Sequence, residues 1–146
     1  MKRLALAAAL LSLGVAAVTA QGGDPIAQRK DMMKTVGQQT GLGARMARGQ
    51  APFDLAQAQG IFRTYAEVAG RYATLFPDGS QSGGDTAALP AVWANKADFE
   101  ARIARWGQEA QAEGAKVTDL DTFRAAFGAV TRNCGSCHEV YRRPQS

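Results

Sequence analysis

Both cysteines of this 146-residue chain and its single histidine fall within five positions, as Cys134, Cys137 and His138 of RNCGSCHEVYRR (132–143). Three chemistries can use such a cluster. A Cys-x-x-Cys pair can cycle between dithiol and disulfide, thiolates and an imidazole can chelate a metal, or two thiols can anchor a haem whose iron the adjacent imidazole ligates. On a helix these residues stand at i, i+3 and i+4, which share one face within about 100° of arc.

The surroundings weigh the three differently. A thioredoxin-like pair sits at a helix N-terminus after a strand, where the helix lowers the thiol pKa; here it lies well inside a terminal helical pattern. Structural zinc takes four ligands; the Cys and His residues number three, and Glu139 points to another side of the helix. Cys-x-x-Cys-His is the attachment signature of c-type haem. The sequence therefore favours one covalent haem c, bound through Cys134 and Cys137 with His138 as axial iron ligand, over its two rivals.

The start of the chain supports this. Lys2 and Arg3 precede an apolar run from Leu4 to Val18, and Val18-Thr19-Ala20 offers small residues before Gln21. This three-part pattern predicts a signal peptide over residues 1–20, cleaved to leave a single domain over 21–146. The run is short of the roughly 20 apolar residues that a membrane span requires. Export suits haem c, which is attached after translocation. Of the 17 basic residues the leader removes two, so 15 basic face 13 acidic residues, a net of +2 instead of +4. Two haem propionates would cancel that. The basic residues form no cluster beyond Arg142-Arg143, which argues against nucleic acid as a partner.

The elements that must position the cluster read as helices. Asp24-Pro25 resembles a cap followed by a first-turn proline. Ile26, Met33, Val36 and Thr40 then recur at helical spacing with Arg29 on the same side, while Gly41, Gly43 and Gly49 weaken the end. Asp54 opens a second helix with an apolar stripe through Ile61, Phe62, Tyr65, Val68 and Tyr72. Residues 77–93, rich in Gly, Ser and Asp, read as a long surface loop without strand alternation. A third helix is expected from about Ala94 to Gly114, and a fourth from Asp119 to Arg142 with Thr118 as its cap. Four amphipathic helices joined by two short links and one long one predict an all-α, antiparallel four-helix bundle.

At this point the chain resembles the class II c-type cytochromes, the family that includes cytochrome c′. The resemblance rests on QRKDMMKTVG (28–37), ARGQAPFD (47–54), LFPDGS (75–80), LPAVWANKADFEARI (89–103) and CGSCHEVYRR (134–143), and covers nearly the whole mature chain. It implies a periplasmic four-helix bundle holding one haem, with no enzymatic turnover. It also implies that the residue four after Arg29, namely Met33, stands on the distal side of the iron. In low-spin members a methionine there ligates the iron and the protein carries electrons. In high-spin members a bulky apolar side chain leaves the sixth position open to nitric oxide or carbon monoxide, and dimers through the first two helices are common. Met33-Lys-x-x-Gly37 resembles the low-spin branch slightly better. Arg29 is similar to a residue that pairs with a haem propionate, and Arg142, four after His138, to one near the proximal face. A redox partner protein is implied, and membrane insertion after cleavage is not.

Overall fold

The computed structural model describes residues 23–144, so the predicted leader and its cleavage point lie outside the described residues. Five helices follow one another: α1 Pro25–Ala47, α2 Leu55–Tyr72, α3 Ala91–Ala94, α4 Lys96–Gly114 and α5 Leu120–Tyr141. The four long ones form the bundle, with α2 and α4 the most extensively packed pair. The expectation of an all-α four-helix bundle is met.

Local chemistry explains the boundaries. The Asp24 carboxylate accepts from the Ile26 N–H at 2.9 Å, and Asp54 accepts from Gln57 N–H at 2.7 Å, so both expected caps are in place. The start of α5 is displaced by one residue from expectation. Asp119, not Thr118, is the cap, and its carboxylate and the Thr122 hydroxyl satisfy each other's backbone N–H groups. Gly49 stands past the end of α1 at φ +69°, a conformation that favours glycine.

Gly43 does not weaken α1. It lies inside the helix, where an added Cβ would come within 2.5 Å of the Phe127 ring. Its missing side chain is what lets α1 approach α5. Phe127 in turn stacks toward Phe123 at 5.4 Å between centroids, and Phe123 meets Phe62 edge-on at 6.1 Å. These rings, with Ile61, Met46 and Val130, fill one end of the bundle with apolar surface worth about 1.5–3 kcal/mol per buried side chain.

The other end is filled differently. Residues 77–90 run across it, closed by α3, which the loop pattern did not reveal. The loop pairs with the chain beyond α5: Ala88 bridges Arg142, Leu89 N–H donates to Tyr141 O at 2.9 Å, and Arg143 N–H donates to Ala87 O at 2.8 Å. Arg142 is consequently not helical. It leaves α5 in an extended conformation, φ −122° and ψ 135°, which corrects the expectation that α5 continues through it.

Candidate haem site

A cavity of about 810 Å³ lies at this second end, bounded by α1, α4, α5 and the loop. That is within the roughly 300–1,000 Å³ typical of sites that enclose a small-molecule ligand. All six residues singled out in the sequence line it: Arg29 and Met33 from α1, Cys134, Cys137 and His138 from α5, and Arg142 just beyond. Residues separated by about a hundred positions are thus gathered in one space because the N-terminal half of α1 packs beside the C-terminal half of α5.

The donor set has the chemistry that haem attachment needs. Cys134 and Cys137 are half-buried, not joined as a disulfide, and burial pushes both thiols above their ordinary pKa. This is the opposite of the depressed pKa that a dithiol oxidoreductase needs. Desolvation, and then the Arg142 cation, hold His138 below its ordinary value, so its imidazole is neutral with a lone pair free for a metal. Among the described residues no group of three or more His, Cys, Asp or Glu side chains converges to chelate a metal ion.

Two further observations fit a haem. Trp106 Nε1 and Arg142 Nε are buried N–H groups without a partner in the described structure, and both residues line this cavity. An unmet buried donor costs about 1–3 kcal/mol, so a bound group bearing acceptors offsets a real penalty. On α1, a Cβ added at Gly37 would meet nothing within 4 Å, which leaves that wall open beside Met33. Tyr72 and Tyr65, pushed up to about 12 mainly by burial, stay neutral.

Arg29 has a role that the sequence did not disclose. It is only 3% exposed, and its two terminal nitrogens donate to the loop. Nη1 reaches Leu75 O and Ser80 Oγ, both at 3.1 Å, while Nη2 reaches Ser80 O at 2.7 Å and Thr86 Oγ1 at 2.8 Å. The guanidinium also lies over Phe76, 4.7 Å from the ring centre. Four of its five N–H groups are directed at protein, and Nε–H is left over.

Other residues of the site were visible in the sequence only as core. Phe99, Ile103 and Trp106 form the cavity-facing side of α4, and Phe76 and Tyr72 complete an aromatic floor, with Phe76 and Phe99 centroids 4.7 Å apart. Asp98 and Arg102 were not anticipated. Tyr141 O–H donates to Asp98, Arg102 Nε donates to the same carboxylate at 2.6 Å, and Arg102 Nη1 reaches Ser136 O between the cysteines at 3.2 Å. An i, i+4 acid–base pair at the start of a helix was their only signal. Trp93 does not line the cavity; its indole N–H donates to Pro77 O at 3.2 Å. Phe62 and Phe127 are bundle core and Tyr141 packs the pocket.

A sequence profile of the family described as cytochrome c′ matches residues 24–142, all but a few of the described positions. The chain belongs to the cytochrome c′ family. It is 39% identical to the cytochrome c′ of Rhodopseudomonas palustris over 99% of this chain and 98% of that protein. It is 34% identical to the cytochrome c-556 of Agrobacterium fabrum, over 97% of each. The solved cytochrome c′ from Rhodopseudomonas palustris superposes with a TM-score of 0.82 at 38% identity, covering 86% of this chain and 100% of that one. As a family member the chain binds one covalent haem c with iron. It is a haem protein of electron-transfer or gas-binding role. No described helix is long and apolar enough to cross a membrane.

Proposed function

We propose that this cytochrome c′ family member is a periplasmic one-electron carrier whose iron is held between His138 and Met33. The observation that carries this is the position of Met33. It lines the same cavity as His138, from a different helix, at the place where the family resemblance puts the distal residue. Methionine sulfur with histidine nitrogen is an iron ligand pair that raises the reduction potential.

The bound haem supplies an iron that cycles between Fe(III) and Fe(II). The chain's own residues hold and tune it. Cys134 and Cys137, the only thiols in the chain, provide the two thioether attachments. His138 would provide a nitrogen ligand to the iron, kept neutral by burial and by Arg142. Arg142 Nε, buried and without a partner, is a donor for a haem propionate. Arg29 offers its remaining Nε–H in the same sense, with its other four N–H groups fixing the loop wall. Trp106, Phe99 and Ile103 exclude water from the α4 side.

One ferric and one ferrous absorption spectrum test the assignment. The ferric protein is expected to show the weak band toward the red that reports sulfur–iron bonding, and Met33→Ala is expected to lose it. A high-spin ferrous spectrum without sharp α and β bands would refute methionine ligation. It would support the second reading, an open distal position shielded by Met33. That alternative is favoured by the 39% identity to a cytochrome c′. A cytochrome c prime from Alcaligenes xylosoxidans has been solved as the nitric oxide complex of a single-site mutant, and it superposes on this chain with a TM-score of 0.72 at 26% identity. Ready carbon monoxide uptake by the ferrous form at neutral pH would mark this second behaviour.

A further inference from the structure

Charge is distributed unevenly around this cavity. Outside the predicted leader the chain has 15 basic and 13 acidic residues, a net of +2. The cavity lining holds six of those basic residues and only two of the acidic ones, a net of +4. The remainder of the chain therefore carries nine basic and eleven acidic residues, a net of −2. The six divide by depth. Arg29 and Arg142 lie inward and match in number the two carboxylates that a haem brings. Lys30, Lys34, Arg102 and Arg105 form an outward rim whose acids are Asp85 and Asp98. Lys30 keeps 50% exposure at 3.8 Å from Asp85, and Arg102 keeps 37% beside Asp98. Lys34 and Arg105 are exposed and make no ion pair among the described residues. With the haem carboxylates offset inside, the rim retains a net of +2 while the rest of the chain carries a net of −2.

From this asymmetry we infer that the rim formed by α1 and α4 around the haem cavity is the docking surface for a redox partner with an acidic face. The inference deepens the carrier function and rests on it. A net-positive patch on a protein of near-zero total charge acts mainly on encounter: it orients the molecule so that the haem-bearing end meets the partner, and it loses force once the ionic atmosphere shrinks below the spacing of the charges. The Debye length falls from about 30 Å at 0.01 M to about 8 Å at 0.15 M ionic strength, so charges that act together at low salt are screened from one another at the higher one.

Stopped-flow oxidation of the ferrous holoprotein tests it with two reagents of opposite charge. Each turnover moves one electron from ferrous protein to the reagent, giving ferric protein and either ferrocyanide or the cobalt(II) complex. With ferricyanide the rate is expected to fall about tenfold between 0.01 and 0.3 M ionic strength, while with the cationic tris(phenanthroline)cobalt(III) it should rise or stay level. The Lys34→Glu/Arg105→Glu double variant is expected to reverse both trends. Arg45→Glu/Arg48→Glu, exposed at the far end of α1, changes net charge equally and is expected to leave them nearly as in the wild type. Equal effects of the two double variants, or no salt dependence with ferricyanide, would overturn the rim. So would salt-sensitive sedimentation with phosphatidylglycerol vesicles that the Lys34→Glu/Arg105→Glu change abolishes, since the rim would then serve a lipid surface. An unchanged haem spectrum checks that each variant is folded. These outcomes are independent of spin state, so a high-spin spectrum would sink the carrier function without altering them.

Discussion

Replacing Arg29 by alanine should loosen the loop wall of the haem cavity, by an amount that the geometry allows to be estimated. The guanidinium donates to two hydroxyls and two main-chain carbonyls. The hydroxyls have other work: Ser80 Oγ–H donates to Pro77 O, and Thr86 Oγ1 accepts from Ala88 N–H. Leu75 O and Ser80 O have no other hydrogen bond among those described, so the substitution leaves two carbonyls unmet. At about 1–3 kcal/mol each, less the relief of no longer burying a cation and some hydration of the opened loop, the net loss is about 3 kcal/mol. Arg29→Lys, with a single ammonium that cannot span the fork, should recover only part of it. Ser80→Ala, which removes one of the four bonds, should cost about 1 kcal/mol. Urea unfolding of the holoprotein followed by circular dichroism gives these differences. Limited proteolysis within residues 77–90 reports whether the loop is the part released. A loss below about 1 kcal/mol for Arg29→Ala, with unchanged loop cleavage, would refute the clamp. It would leave propionate contact as the reason for burying Arg29.

Three other outcomes follow from single observations. Gly43→Ala should destabilise by about 1–2 kcal/mol, since overpacking against Phe127 exceeds the helix-propensity gain, whereas Gly70→Ala, open within 4 Å on α2, should stabilise by about 0.5–1 kcal/mol; thermal melts giving the same sign for both would contradict the packing explanation. Tyr65→Phe should cost about 1 kcal/mol in chemical denaturation, because Tyr65 O–H donates to Thr40 Oγ1 at 2.7 Å while Thr40 keeps its own bond to Val36 O; a neutral result would show that this buried bond has no net worth. Hydrogen bonds from Thr122, first its backbone N–H and then its hydroxyl, hold the Asp119 carboxyl below its ordinary pKa. Its contribution is therefore present above the unfolded carboxylate pKa and lost as pH falls through the lower folded value. Asp119→Asn should accordingly be less stable than wild type at neutral pH and converge with it in acid, and a constant difference across the titration would refute that linkage.

The candidate haem cluster was legible without coordinates because attachment chemistry is local. Two thiols and an imidazole at i, i+3 and i+4 share a face on any helix, so Cys134, Cys137 and His138 needed no partner element to be recognised. The bundle was legible for a similar reason, through helical periodicity and through aspartates such as Asp24 and Asp54, whose capping reaches only two or three residues. What failed at this level were features whose cause lies far away in the chain. At the end of α5, Arg142 pairs in extended conformation with Ala88, a residue more than fifty positions earlier. Gly43 looked like a helix breaker, and only the Phe127 ring shows why no side chain fits there.

Residue order alone was enough for the cofactor chemistry and the helical class, while the candidate positions on α1 came from the family resemblance. Packing decided what surrounds those residues. It turned Arg29 inward to bind a loop some fifty residues later, and it left Trp106 and Arg142 with unmet donors facing one cavity. It also gathered Lys34 and Arg105 from separate helices into one charged rim. The difference is one of range: capping, periodicity and ligand spacing act within a turn or two of helix, whereas cavities, long-distance hydrogen bonds and surface fields exist only once the helices are packed.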